Sequence, residues 1–175
     1  MSTLTTICFI SLDGVVEDPA WSMDFQSDDT GELNSELLFA ADAMLLGRGT
    51  WEGFAEAWPS RSGDPFTDRF NAMPKHVVTS TLDDLSKWNN SHAVAFDDVR
   101  ALREQQNLLV WGSPTLVQSL LREGLVDEVV LLVSPVTVGA GRRLFADGDA
   151  HRLRFGAPTL LSGGMLAVRA EAVAG

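Results

Sequence analysis

Two short segments put glycine, arginine and hydroxyl residues where a strand should give way to a helix: Gly47-Arg48-Gly49-Thr50 and Gly112-Ser113-Pro114-Thr115. A helix N-terminus offers backbone N–H groups with no intrahelical partner and a partial positive charge, which suits a phosphate. Arg48 adds a full charge and a forked donor set, and Ser113 or Thr115 can add a hydroxyl. Both segments equally suit tight turns, with Arg48 solvated and Ser113 only the N-cap ahead of Pro114 at the first helical position. A third segment, Thr79-Ser80-Thr81, closes an apolar run with three hydroxyls fit for ribose or phosphate oxygens. Gly139-Ala140-Gly141-Arg142-Arg143 is a glycine loop with two arginines; a phosphate site and a surface turn with snorkelling arginines fit it equally. Gly47, Gly49 and Gly53 imitate a dinucleotide fingerprint, but three residues fill the last gap where two belong, which excludes a Rossmann reading.

The acids are the other candidates. Asp13 before Gly14 reads as an Asx-type turn, Asp29 with Glu32 as a capping arrangement at a helix start, and Glu36 one turn later borders an apolar stripe. If a proton must be donated, Glu32, Glu36, Asp13 or an ordered water are the sources, in that order, because the chain has no tyrosine. His76, His92 and His151 lack ligand spacing and Cys8 is the single cysteine, so neither a metal site nor a disulfide is expected. Among 175 residues, 24 acids against 13 Lys and Arg give a net charge of −11, which argues against nucleic acid or an anionic membrane as partner. No apolar run reaches the roughly 18–20 residues of a membrane span, and Met1-Ser2-Thr3 starts no signal peptide. A cytoplasmic chain acting on a small molecule is the expectation.

The elements that must position these residues follow from periodicity. Apolar β-rich runs over 5–10, 43–46, 75–79, 92–95, 108–111 and 126–133 read as strands. Helical spacing appears over 29–41, from Trp51 to Trp58 where Pro59 ends it, over 97–106, and from Pro114 to the Gly124 cap. The tail, 153–161 and 165–172 around Ser162-Gly163-Gly164, reads as a hairpin. The sum is one α/β domain over 1–175: a mixed, mostly parallel sheet with helices on both faces and an antiparallel C-terminal end. Ligands of such sheets lie beyond the carboxyl ends of the strands, where all three hydroxyl- or glycine-bearing junctions fall.

The order Ser11-Leu12-Asp13-Gly14, Leu45-Leu46-Gly47-Arg48-Gly49-Thr50-Trp51-Glu52, Lys75-His76-Val77-Val78-Thr79-Ser80, Val110-Trp111-Gly112-Ser113-Pro114-Thr115-Leu116 and Pro135-Val136-Thr137-Val138-Gly139-Ala140-Gly141 resembles the dihydrofolate reductase-like superfamily. Within it, the chain is similar to the riboflavin-biosynthesis reductases, the stand-alone proteins related to the C-terminal RibD domain. The resemblance implies a three-layer fold with about eight strands, an extended NADPH along the sheet edge, and a homodimer. By position, Gly47, Arg48 and Thr50 would hold the adenosine-side phosphates, and Thr79 and Ser80 would lie by the 2′-phosphate and adenine. Gly112, Ser113, Pro114, Thr115 and Leu116 would cradle the diphosphate, and Val15 and Val16 would line the nicotinamide. The implied activity is hydride transfer from NADPH to a C=N or C=O of a small heterocyclic or sugar-derived substrate; a non-catalytic cofactor-binding module is the alternative. Two departures stand out. The family's glycine pair appears as Gly112-Ser113, and the stretch that carries a carboxylate in dihydrofolate reductases aligns on Gly31, with Glu32 next.

Overall fold

The computed structural model describes residues 1–173; the last two positions of the expected 1–175 span lie outside the described residues. Its elements are β1 (Leu4–Ser11), α1 (Asp28–Ala40), β2 (Ala43–Gly47), α2 (Arg48–Ala57), α3 (Pro65–Ala72), β3 (Lys75–Val78), β4 (Ser91–Val94), α4 (Val99–Gln105), β5 (Leu108–Trp111), α5 (Pro114–Arg122), β6 (Glu128–Ser134), β7 (Arg152–Phe155), β8 (Thr159–Leu160) and β9 (Leu166–Val173). A 3₁₀ segment, Pro19–Phe25, links β1 to α1. The strands form one nine-stranded sheet in the order β4-β3-β2-β5-β1-β6-β9-β7, with β8 also on β9. Pairing is parallel from β4 to β6 and antiparallel from there outward.

β1 shows why the central strands read as unbroken apolar runs. It lies between β5 and β6, so both faces are covered. Leu4, Cys8 and Ile10 join the core under α4 and α5, while Ile7 joins the core under α1, α2 and α3. The second core is largely aromatic: Phe70 meets Phe54, Trp58, Phe66, Trp88 and Trp111, with centroids 4.5–5.7 Å apart. No helix among the described residues is long and apolar enough to cross a membrane.

Three local expectations need correction, and one helix is added. The hairpin's first arm is broken: Gly156 and Pro158 interrupt it, so β7 and β8 pair separately with β9 and the sheet has nine strands. Helix α3 was not expected, although Asp64 caps it by accepting from Thr67 N at 3.0 Å and Pro65 opens it. Asp29 and Glu32 do not form the cap of α1, whose N-cap is Ser27. The Asp29 carboxylate instead accepts from Ser162 N at 2.7 Å, tying α1 to the β8–β9 turn. There Gly163 lies so close to the Phe25 carbonyl that any side chain would overlap it. Asp13, finally, makes no local Asx turn: its carboxylate reaches across to the loop after β6, accepting from Val138 N at 3.0 Å and Gly139 N at 2.8 Å.

Candidate functional site

β2 and β5 are parallel neighbours, so the turns that follow them lie side by side and launch α2 and α5 from the same sheet edge. The two turns are locked together. Gly47 N donates to Ser113 Oγ at 3.0 Å, Ser113 Oγ donates to the Trp111 carbonyl at 3.2 Å, and Ser113 N donates to Thr50 Oγ1 at 3.1 Å. Gly112 and Ser113 are both left-handed, with φ of 58° and 50°. For a serine that conformation costs about 1–2 kcal/mol, offset here by hydrogen bonds to both its hydroxyl and its N–H. Ser113 therefore stands at the N-cap position without capping α5 by its side chain. Neither α2 nor α5 has a side-chain cap, which leaves the first-turn N–H groups of α2, and those of Thr115 and Leu116, as donors without an intrahelical partner.

These two helix ends border a cleft of about 380 Å³ whose lining includes Gly47, Arg48, Gly49, Thr50, Val78, Phe96, Ser113, Pro114, Thr115, Leu116 and Arg142. Arg48 donates from Nη1 to Thr81 Oγ1 at 2.8 Å and from Nε to Glu52 Oε1 at 2.9 Å. On the other wall, Arg142 donates from Nη1 to Thr115 Oγ1 at 2.7 Å. No Asp or Glu lines the cleft.

Thr79 and Ser80 do not line it. Thr79 Oγ1 accepts from Thr81 N and Leu82 N at 3.2 Å each, and the third hydroxyl, Thr81, is the one that reaches Arg48. Val15 and Val16 are buried under the loop after β6: Val16 N donates to the Arg142 carbonyl at 2.9 Å, and Val15 bridges to Arg143.

A sequence profile of the RibD C-terminal domain matches residues 2–166. The chain belongs to the RibD C-terminal domain family. The Bacillus subtilis (strain 168) protein YwjB is 27% identical over 139 residues, 78% of each chain. A pyrimidine reductase-like protein of Corynebacterium diphtheriae shares the fold at a TM-score of 0.74 and 13% identity, over 99% of this chain and 93% of that one. Dihydrofolate reductase of Enterococcus faecalis, complexed with NADP(H), does so at 0.64 and 14% identity, over 97% and 96%. At these identities the structural likeness is one of fold, and the fold is dihydrofolate reductase-like.

On this RibD-type frame, Asp13 stands apart from the other two candidate proton donors, Glu32 and Glu36, which share one cleft. Hydrogen bonds from Ser11 and from the Val138 and Gly139 amides hold the Asp13 carboxyl down to about 2, so it is ionised at neutral pH and suits a clamp rather than an acid. Glu36 pairs with Arg169 at 3.0 Å. Glu32 is exposed, and both glutamates border an open cleft of about 770 Å³ along α1, with Asp28 and Phe66. Phe66 in turn meets Trp111, the last residue of β5, at 5.9 Å, so an aromatic wall joins that cleft to the Gly112 turn. Cys8 lies beneath the same turn, its thiol 3.7 Å from the Gly112 carbonyl and pushed up to about 12 by burial. Among the described residues no group of three or more His, Cys, Asp and Glu could hold a metal. The sequence alone left Arg142 and Thr81 open; their one signal was charge or hydroxyl next to a turn.

Proposed function

We propose that this protein is an NADPH-dependent reductase that passes a hydride to a C=N or C=O of a small heterocyclic or sugar-derived substrate. One observation carries the reading: in a chain with 24 acids, the cleft between two uncapped helix ends is lined by two arginines and no carboxylate. Such a carboxylate-free, arginine-lined cleft fits the phosphates of an extended dinucleotide, and membership of a reductase-domain family supports the rest. When bound, the cofactor supplies the hydride from its nicotinamide ring.

The chain's own residues would bind, orient and exclude water. Arg48, fixed by Thr81 and Glu52, would take the adenosine-side phosphate. The Gly112–Ser113 turn leaves the α5 end open to the diphosphate, because the Ser113 hydroxyl is spent inward on Gly47 and Trp111. The aromatic wall of Trp111 and Phe66 would carry the substrate's ring toward the α1 cleft. A second reading, a non-catalytic cofactor-binding module, draws on the acids: Asp13 is ionised and Glu36 is paired, which leaves Glu32 or water to protonate.

Calorimetric titration tests the cofactor. NADPH should bind more tightly than NADH, and Arg48→Ala should weaken NADPH by about tenfold, as loss of a charged hydrogen bond does, while leaving NADH unchanged. Equal binding of both cofactors, independent of Arg48, would remove the phosphate seat. Oxidation of NADPH over a panel of pterins, pyrimidines and ketones then separates reductase from module, since binding without turnover throughout favours the latter. We further propose a cytoplasmic homodimer, joined through the sheet edge where Phe155 and Leu160 are 67% and 73% exposed.

A further inference from the structure

The loop between β6 and β7 is bound to the loop after β1 by a series of hydrogen bonds. Asp13 accepts from Val138 N and Gly139 N, Leu144 N donates to the Gly14 carbonyl at 3.1 Å, and Arg143 Nε donates to the Asp13 carbonyl at 3.1 Å. Arg142 is held by both of its backbone groups: its N–H donates to Glu17 Oε2 at 3.2 Å and its carbonyl accepts from Val16 N at 2.9 Å. With the main chain fixed, the side chain extends to Thr115 in the first turn of α5.

The helix end is what makes that placement electrostatically unfavourable. Arg48, Arg103, Arg122, Arg154 and Arg169 each pair with a carboxylate, while Arg69 and Arg143 donate to backbone carbonyls. Arg142 meets a neutral hydroxyl instead, and it does so at the positive end of a helix, where a cation is disfavoured. The guanidinium has five N–H donors, and Thr115 Oγ1, by accepting one of them, keeps its own proton to give. With the free amides of Thr115 and Leu116, the corner gathers donors and positive potential, and no carboxylate lines the cleft there to balance the guanidinium. An oxygen-rich anion of high charge density completes such a corner, and forked donors favour phosphate oxygens.

Resting on the cofactor reading above, we infer that Arg142 is the residue that recognises the diphosphate bridge of the dinucleotide, while Arg48 reads the phosphate at the adenosine end. Gly141 positions it. Its φ is +121°, and an added Cβ would stand 2.9 Å from Val15 Cγ1 and 3.2 Å from Glu17 Oε2. Any side chain there strains the segment that delivers Arg142.

Calorimetry with three probes tests the assignment: NADPH, ADP (a diphosphate without a 2′-phosphate) and adenosine 2′-monophosphate (the reverse). Arg142→Met keeps the apolar stem and should weaken NADPH and ADP by roughly ten- to a hundredfold, the loss of a charge-assisted hydrogen bond, with the monophosphate within about twofold. Arg142→Lys should recover only part, because an ammonium lacks the fork. Gly141→Ala should show the same ligand selectivity, with an unchanged far-ultraviolet spectrum. Unaltered ADP and NADPH binding by Arg142→Met, or an equal loss for all three probes, overturns the assignment and leaves the cofactor reading standing. A wild-type protein that binds neither NADPH nor ADP overturns both.

Discussion

The backbone N–H of Gly47 is satisfied by the hydroxyl of Ser113, 66 positions away in sequence and 3.0 Å away in space. This bond fastens the turn after β2 to the turn after β5, and so fixes the separation of the two helix ends that border the cleft.

Removing the hydroxyl with Ser113→Ala should destabilise the protein by about 1–3 kcal/mol, since Gly47 N loses its partner in a nearly closed setting. Ser113→Gly loses the same bond but relieves the left-handed backbone, and should be the milder change. Urea unfolding of both variants checks the order. An alanine variant as stable as the glycine one would mean that the φ of +50° costs nothing.

The clamp made by Asp13 has an acid limit. Its carboxyl is held at about 2 in the folded chain against 3.8 ordinarily, by Ser11, Val138 and Gly139. A depressed value means that stabilisation is fully present above about pH 4 and is lost as pH falls through about 2. Hydrogen exchange at the Val138 and Gly139 amides should stay slow down to that window in the native protein. In Asp13→Asn it should be faster at neutral pH and lack the acid transition.

Lys75 is completely buried, and its ammonium gives one hydrogen bond each to the carbonyls of Asn71, Met73 and Asn89 at 2.7–2.9 Å, with the Trp88 ring 4.5 Å away. Three carbonyls match three donors. Lys75→Met fills the volume but strands all three acceptors, at a cost of about 1–3 kcal/mol for each that stays dry. Thermal denaturation should register a loss of several degrees at least, whereas Lys87→Met, at an exposed position, should be close to neutral.

The α1 cleft sets the charge of what can enter it. Asp28, Glu32 and Glu36 border it with no Lys or Arg among the described lining residues, and Arg169 is held by Glu36 and Glu128 at 3.0 and 3.1 Å. A phosphorylated pyrimidine should therefore bind the NADPH-loaded protein more weakly than its dephosphorylated form, by about tenfold at low salt, and the gap should narrow as salt rises. Tighter binding of the phosphorylated form in calorimetry would contradict this.

What could be read in advance was whatever is encoded locally. The strand–turn–helix junctions at Gly47 and Gly112 are written in consecutive residues: an apolar run, a glycine, then helical spacing. Helix α3 escaped because it is only eight residues long and shows two apolar anchors, Phe66 and Phe70, after a stretch of polar residues. A carboxylate before glycine has an obvious local neighbour to bond, whereas the amide partners of Asp13 are 125 and 126 positions away. Arg142 is a similar case: nothing near it in sequence points to Thr115. The inward turn of Ser113 depends on β2 and β5 being adjacent, a fact of strand order that no local pattern contains.

The strand order also has a consequence for how the protein is assembled. The cleft draws on positions 47–50, 112–116 and 142, which become neighbours only after β2, β5, β1 and β6 have aligned. No piece of the chain that lacks one of these strands can build it, and closing such distant pairs carries a loop-closure entropy that local contacts do not. A ligand seated there is bound by the finished sheet and by nothing earlier. At a hundred times its dissociation constant it adds about 2.7 kcal/mol to the stability of the whole, so that ligand supply would govern how long each copy survives proteolysis.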